Sequence, residues 1–406
     1  MKPNLKRSIK AALWLCCLAA TACDVTYVVA PEVDAAKPPL PPTDAGTTAP
    51  VPTRDVQGAK VPCSEWGKGA PLIAPDRALA ALTNVLWSGD TTALKDAFDA
   101  YEPVLTKGTT GDAYCVALQM LGRPRANEGV SAFYVRWLSL NNITPKDVAK
   151  YGTTTFDAEI KSTLTFAVDT TLTANNTFGR LFGTPREIKF AQGVPAPPPT
   201  SLPYQGLAGA GLLSDAAVLA AFSGSEAWPS QRGAAVRRAF LCEVLPPEPS
   251  RDVTLKPDAA IPFRQWHEKT MATGQCVGCH KLIDPIGYVL DVFDAVGQAH
   301  DIDRNGHKFD LSANLLLPSG ETLPMASPAE LSKILANSLD AKACYLQNWV
   351  SAFHAARGLQ LAVDDDVLRA RLNQEARTIH IKSDFALSDT IASAARLSFE
   401  LVTSSP

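Results

Sequence analysis

Apolar residues recur three and four positions apart along most of the chain, and this spacing predicts amphipathic helices. The first such segment runs from Arg77 to Leu86. Similar segments follow at 113–121, 128–140, 156–172, 215–222, 231–241, 343–357, 366–377 and 388–401. Alternation with a period of two, which indicates half-buried strands, is scarce. The pattern therefore predicts a mainly α protein, a multi-helix body with Pro-rich loops at 193–203 and 246–262.

Residues that favour helix starts precede several of these segments. Asp76 and Ser214 have side chains that can accept hydrogen bonds from the first N–H groups of a helix. Ser327, Pro328 and Glu330 form a capping box with proline at the first helical position. These three places are predicted helix N-termini.

The N-terminus has the pattern of an export signal. Basic residues precede the apolar run 11–22, which is too short to span a membrane but suits the central region of a signal peptide. The run ends in small residues directly before Cys23, which resembles a bacterial lipoprotein cleavage box and predicts lipidation of Cys23. Cleavage of an ordinary signal peptide is the alternative.

Residues 23–62 are rich in Pro, Ala and Thr, a composition that favours extended conformations and predicts a tether. The chain has a formal net charge of −3, and loss of the signal peptide would remove basic residues but no acidic ones. Because an acidic surface does not attract nucleic acid, we expect no nucleic-acid partner. The expected location is the bacterial cell envelope, with a lipid anchor in the membrane and the protein facing the periplasm or the cell surface.

The segment Cys276-Val277-Gly278-Cys279-His280 is the CxxCH pattern of c-type haem attachment. In this chemistry two thiols form thioethers with the porphyrin and the histidine ligates the iron. A redox disulfide and a zinc site are the alternatives. A zinc site would need a second Cys/His pair at zinc-finger spacing, which the sequence does not have. A redox disulfide would need a βαβ setting around the CxxC, which the pattern does not show. We therefore predict one covalent haem c, with Cys276 and Cys279 as attachment points and His280 as iron ligand.

Four further cysteines suit an exported protein with two disulfides. Sequence alone leaves three pairings open among Cys63, Cys115, Cys242 and Cys344. The preferred pairs are Cys63 with Cys115 and Cys242 with Cys344.

The ring nitrogen of His280 that does not bind iron needs a hydrogen-bond acceptor. The Asp284 side chain or the Pro285 carbonyl lies close enough in sequence to accept this bond. The alternative is that Asp284 and Pro285 only begin a turn.

The sixth iron ligand would decide between electron transfer and binding of a small molecule. Met325 is the preferred candidate because it lies in a loop before the helix that Ser327 begins. The alternative is that Met325 is an apolar residue of the core. Less favoured candidates are Met271, His267, His300, His307 and His354.

The segments 276–290 and 293–297 resemble a family of cytochrome-c-like multidomain proteins of planctomycetes and myxobacteria, whose modules have unknown functions. Further similar segments are 77–87, 120–125 and 133–140 in its N-terminal region, 211–214, 229–233 and 241–247 in its central module, and 344–358 and 381–384 in its C-terminal module. A histidine that the family often has shortly before the first haem cysteine is missing near Thr270. The resemblance implies an exported haem protein and does not supply a substrate.

These observations predict five segments along the chain. They are a lipoprotein signal peptide at 1–22, a tether at 23–62, an N-terminal helical domain at 63–240, a cytochrome-c-like haem module at 241–325 and a C-terminal helical domain at 326–406. The expected function is single-electron transfer with an unidentified periplasmic or surface redox partner. The alternatives are a haem enzyme, such as a peroxidase or oxidase component with an open distal site, and a haem-free binding or assembly lipoprotein with a CxxC disulfide.

Other chemistry has weaker support in the sequence. The segment 301–306 begins like a calcium loop, but Ser312 stands where a bidentate Glu is needed, which favours a simple turn. No nucleophile elbow, phosphate-binding loop or dinucleotide fingerprint is present. An electron carrier or redox component is therefore favoured over a hydrolase or transferase.

Overall fold

Helices make up most of the described protein, which confirms the mainly α prediction. The structure, a computed structural model, describes residues 69–72, 74–106, 108–143, 156–173, 176–224, 226–246, 257–271, 276–361 and 365–403. The helices are α1 (Pro75–Leu86), α2 (Thr91–Leu105), α3 (Thr110–Leu121), α4 (Ala126–Trp137), α5 (Asp157–Leu172), α6 (Phe178–Gly183), α7 (Leu202–Ala208), α8 (Ala216–Ala221), α9 (Pro229–Leu241), α10 (Phe263–Met271), α11 (Val277–Leu290), α12 (Pro328–Asn337), α13 (Leu339–Ala355), α14 (Asp366–Ser383) and α15 (Leu387–Thr403). The predicted signal peptide, Cys23, the tether and Cys63 lie outside the described residues and stay predictions.

The described strands are short. Strand β1 (Lys189–Phe190) pairs in parallel with β2 (Gln298–Ala299). Strands β3 (Ala313–Leu316) and β4 (Thr322–Met325) form an antiparallel hairpin in which Ala313 is opposite Met325. Two 3-10 turns, Leu140–Asn142 and Gly211–Ser214, complete the described secondary structure.

The predicted helix starts have mixed outcomes. Ser327 caps α12 as predicted, because its hydroxyl accepts a hydrogen bond from the third helical N–H. Asp76 is not a cap: α1 begins one residue earlier at Pro75, whose fixed φ suits the first helical position. Ser214 is also not a cap, because it ends a 3-10 turn and Asp215 caps α8 instead. In both wrong cases the neighbouring residue is an equally good helix starter, and sequence alone could not choose between them.

An aromatic cluster joins α4 to α13 in the main core. The rings of Phe133 and Trp349 are stacked with their centroids 3.6 Å apart. Trp137 and Tyr345 both pack against Phe133 and against each other. Buried side chains from all three predicted folded segments belong to the same core cluster. The domain boundaries at 240 and 325 are therefore not tested by this packing and stay predictions.

A disulfide links the end of α9 to α13. The structure joins Cys242 to Cys344, the pairing preferred from the sequence, across a separation of 102 residues. Cys115, on α3, is also disulfide-bonded. Its preferred partner, Cys63, lies outside the described residues, so that pairing stays a prediction.

Helices α9 and α11 approach each other closely through two glycines. A Cβ atom at Gly233 would overlap the Ile283 carbonyl, and one at Gly287 would overlap the Pro229 carbonyl. The absence of these side chains lets the two backbones touch. This contact sets the distance between the first turn of α9 and the middle of α11.

Helix α11 continues through Pro285 to Leu290, so the alternative that Asp284 and Pro285 begin a turn is wrong. The buried Arg232 of α9 donates to the carbonyls of Leu290 and Phe293, at and just beyond the end of α11. The Leu290 carbonyl also accepts the Phe293 N–H, and the buried guanidinium adds further hydrogen bonds to the carbonyls at this end of the helix. Packing against α9 thus stabilises α11 despite the proline in its interior.

Within the described ranges, no helix combines the length and the apolar character needed to span a membrane.

Candidate functional site

Three helices bring a polar cluster together beside the CxxCH segment. Ser230 lies in the first turn of α9 and His267 in the middle of α10. His280, Asp284 and Tyr288 are spaced four residues apart on α11, so they lie along one face of that helix. We call these five residues the polar cluster.

Asp284 holds the His280 ring. Both carboxylate oxygens of Asp284 lie 3.0 Å from Nδ1 of His280. The Ser230 hydroxyl donates to Oδ1 of Asp284 at 2.8 Å and lies 3.2 Å from the same histidine nitrogen. Of the two acceptors considered from the sequence, the structure gives this role to the Asp284 side chain. A carboxylate on Nδ1 fixes the ring orientation and directs the Nε2 lone pair away from it.

His267 lies next to the pair formed by His280 and Asp284. It is fully buried, with Nδ1 at 2.9 Å from the Tyr288 hydroxyl and 3.4 Å from Asp284 Oδ2. Its Nε2 lies 3.2 Å from the Ser230 hydroxyl. His267 is therefore on the Nδ1 side of the His280 ring. An iron bound to Nε2 of His280 would be on the other side, so this arrangement does not favour His267 as sixth ligand.

The electrostatics of the cluster depend on a buried carboxylate. Asp284 is 5% exposed, and no Lys or Arg of the described ranges forms an ion pair with it. Burial, together with the Asp284 charge, raises the pKa of Tyr288, so this phenol keeps its proton. The two imidazoles are thus the groups nearest to Asp284 that can carry or bind positive charge.

Cys276 and Cys279 lie in the exposed first turn of α11. Both carry thiols in the structure rather than a disulfide, and both are partly buried. Burial, and then the Asp284 charge, raises the pKa of the Cys279 thiol. This thiol is therefore protonated at neutral pH and is a weak nucleophile by itself. A Cβ atom at Gly278 would meet nothing within 4 Å, so the turn is open to a bulky group.

The donor set of this turn fits a c-type haem. Two thiols lie three residues apart on one turn of a helix, which is followed by a histidine whose Nδ1 is already held by a carboxylate. The open surface at Gly278 leaves room for attachment. Cys276, Cys279 and His280 would hold the group.

Met325 does not join the polar cluster. It is a buried residue of β4 and belongs to the main core. It also lines a cavity of about 810 Å³ with Pro285 and Tyr288 of α11. Its role as sixth ligand stays a prediction.

The other sixth-ligand candidates have partners elsewhere. His300 lies 3.2 Å from Asp294, and His307 and His354 contact backbone carbonyls. Met271 is buried at the end of α10. The loop at 301–306 is closed by Asp303, whose carboxylate accepts backbone N–H groups from both sides. This is the turn that the sequence favoured over a calcium loop.

Sequence reasoning missed part of the cluster. Ser230 and Tyr288 were not singled out, although both lie in segments that carry the family resemblance. The histidine sought near Thr270 is missing there, but His267 stands one helical turn earlier and reaches the site. Helical spacing back from Thr270 could have pointed to it.

Comparison with known proteins supports the resemblance over one part of the chain. Residues 209–303 match the model of the family described as PSCyt3, protein of unknown function (DUF1588). This match contains Ser230, His267, the CxxCH segment and Asp284. The recognised family resemblance is thus confirmed here. No curated protein and no solved structure is similar enough to be matched.

Proposed function

We propose that this chain is an exported, lipid-anchored c-type cytochrome-like protein that transfers single electrons through one covalent haem. Its partner would be an unidentified redox protein of the periplasm or the cell surface. When bound, the haem would supply one-electron chemistry at its iron. The observation that carries the proposal is the pair of thiols beside a histidine that Asp284 already orients.

Each residue of the site has a separate task in this proposal. Cys276 and Cys279 anchor the group by thioether bonds, and His280 presents Nε2 to the iron. Asp284 accepts a hydrogen bond from Nδ1 of His280, which strengthens the imidazole as a donor. Ser230 holds the carboxylate in place from a second helix.

The position of the turn supports electron exchange with a partner. Val277 is 41% exposed and Gly278 has open space above it. A group attached here would have an edge near solvent, where a second protein could approach it. An enzyme that protects a reactive intermediate would need a more enclosed site.

Haem attachment is tested with the full chain expressed together with cytochrome c maturation proteins. The pyridine haemochrome spectrum after denaturing extraction reports covalent haem. We expect the c-type α-band in the unmodified chain and its loss in Cys276→Ala/Cys279→Ala. Val277→Ala/Gly278→Ala is the matched control, because it changes the same turn, keeps both thiols and places a Cβ where no atom is close.

If the unmodified chain carries no haem under these conditions, the electron-transfer proposal fails. A folded, colourless protein would instead favour a haem-free binding or assembly lipoprotein with a CxxC disulfide.

Exposure of the reduced protein to carbon monoxide distinguishes a carrier from an enzyme. We expect no carbon monoxide complex if Met325 is the sixth ligand, and formation of the complex in Met325→Ala. Met120→Ala is the control, since it shortens a fully buried methionine of α3 that is not a candidate ligand. Binding of carbon monoxide by the unmodified protein would favour a haem enzyme with an open distal site.

Export and lipidation are tested separately. We expect the chain to incorporate labelled fatty acid and to fractionate with membranes, and Cys23→Ala to lose both properties. Fatty acid that remains in Cys23→Ala would place the anchor elsewhere.

A further inference from the structure

We propose that His267, His280 and Asp284 also form a binding site for a divalent transition metal ion, with Zn²⁺ as the type case. The ion would bind on the Nδ1 side of His280. The proposal goes beyond the haem function and concerns the chain before haem attachment, because Nδ1 of His280 cannot bind an ion while it donates its proton to Asp284, as it does when Nε2 holds the haem iron.

The ligand atoms are already close to the positions that one ion requires. One donor atom from each of the three residues lies within 4.8 Å of the others, and they form the one group of this kind in the described ranges. Donors about 2.1 Å from a tetrahedral ion lie roughly 3.4 Å apart. The observed distances of 3.0 Å from His280 Nδ1 to Asp284 and 3.4 Å from His267 to Asp284 are near this spacing. Small side-chain movements would complete the site.

The donor types are suited to zinc. Two imidazoles and one carboxylate bind Zn²⁺ in many proteins and leave one position for an oxygen ligand. The Ser230 hydroxyl lies 2.8 Å from Asp284 Oδ1 and 3.2 Å from Nδ1 of His280, and it faces Nε2 of His267 rather than the Nδ1 counted as a ligand. It can act as this oxygen ligand or give way to water.

Charge gives a second and independent reason. Burial of an ionised carboxylate is costly unless a positive charge compensates it. Asp284 is buried, and within the described ranges its only ion-pair partners are His267 and His280. A divalent cation between Asp284 and the imidazoles would supply that charge.

The surroundings of the cluster hold the ligands in place. Trp228 and Phe263 pack against the His267 ring, and Tyr288 meets it edge-on. A rigid, partly apolar wall of this kind lowers the cost of ordering the ligands on binding. Asp284 and His280 are fixed on a single helix, four residues apart.

The test uses the full chain as the haem-free variant Cys276→Ala/Cys279→Ala, which removes the thiols as competing ligands. Co²⁺ is the probe, since its visible absorption reports the number and type of ligands, and Zn²⁺ competition gives the affinity. We expect one equivalent of Co²⁺ with a four- or five-coordinate spectrum, displaced by Zn²⁺. Because this protein carries no haem, failure of the haem proposal does not affect the result.

Ligand variants are then made in the same background. His267→Asn and Asp284→Asn should each weaken Zn²⁺ binding by more than about 100-fold, beyond the 10- to 100-fold typical for the loss of an outer-shell partner. His380→Asn is the matched control: His380 and Asp384 have the same four-residue spacing, but both are exposed and 3.8 Å apart. This control should leave the affinity unchanged.

A second measurement covers the case in which a ligand variant does not fold. Histidine nitrogen resonances of the parent haem-free protein are followed during addition of Zn²⁺. Shifts at both His267 and His280, with His380 unmoved, support the site. Unchanged resonances at His267, or equal affinity in the parent and the Asp284→Asn protein, would overturn the proposal.

Discussion

The aromatic cluster between α4 and α13 is buried and the polar cluster between α9, α10 and α11 is partly buried, and different forces hold them. Phe133 and Trp349 stack as apolar surfaces, and their contact needs shape more than direction. His280 and Asp284 are held by hydrogen bonds whose partners must be in exact positions. The first cluster is built for stability, whereas the second retains groups that can bind something else.

Removal of an aromatic ring should have the largest effect on stability. Trp349→Ala leaves a cavity opposite Phe133, and we expect a loss of about 4 kcal/mol in the free energy of unfolding, measured by urea denaturation. His267→Ala in the polar cluster is the comparison, since its ring is also fully buried. An equal loss in both variants, with no change in metal or haem binding in His267→Ala, would contradict the difference between the clusters.

The disulfide joins the two clusters, because α9 carries Ser230 and α13 carries Trp349. Its two cysteines are 102 residues apart, and we expect its loss to cost about 3 kcal/mol, within the range of about 2–4 kcal/mol that is typical of disulfides. The measurement is urea unfolding of Cys242→Ala/Cys344→Ala beside the unmodified protein. If the double variant is as stable as the unmodified protein, the disulfide does not stabilise the contact between the two regions.

A third prediction concerns Asp291, at the end of α11. Burial raises its pKa from 3.8 to about 6, although Arg304 and Arg232 oppose this shift. Between these two values the folded state holds a proton that the unfolded state has lost, so the contribution of Asp291 to stability is greatest below about pH 4 and is lost as the pH rises to about 6. The expected fall is on the order of 3 kcal/mol, and Asp291→Asn should remove it.

This dependence is measured as the difference in unfolding free energy between the unmodified protein and Asp291→Asn from pH 4 to pH 7. Asp310→Asn is a control of opposite sign, because hydrogen bonds from the Ser312 hydroxyl and N–H lower the pKa of Asp310. A difference for Asp291→Asn that does not change with pH would contradict the role of burial.

The smallest effect on stability is expected at the contact between α9 and α11. Gly287→Ala places a Cβ against the Pro229 carbonyl, and we expect a cost of about 2 kcal/mol. The added Cβ should also push α9 away from α11, which moves Ser230 away from Asp284 and weakens Zn²⁺ binding in the haem-free protein. Gly278→Ala is the control, since its Cβ meets nothing within 4 Å. Unchanged Zn²⁺ affinity in Gly287→Ala would show that the ligands do not depend on this contact.

Local sequence patterns predicted the features that depend on residues close together in the chain. Helical spacing gave the mainly α class, and the Ser327 box gave a helix start, because both act within one turn. The predicted cap Asp76 was wrong by two residues and Ser214 by one, since nearby residues compete for the same position and the energy difference is small. The pairing of His280 with Asp284 was also accessible, because four residues on a helix span one turn.

Taken by itself, the sequence determined the CxxCH segment and the helical class and offered Asp284 as one of two possible acceptors for His280, all of which depend on spacing within one element. Only the tertiary structure decided that His267 and Ser230 reach the same carboxylate. These residues come from two other helices, and their positions depend on how closely α9 can pack against α11. That distance is set by Gly233 and Gly287, because a Cβ at either position would overlap the backbone of the other helix. This steric effect exists only where the two helices pack together.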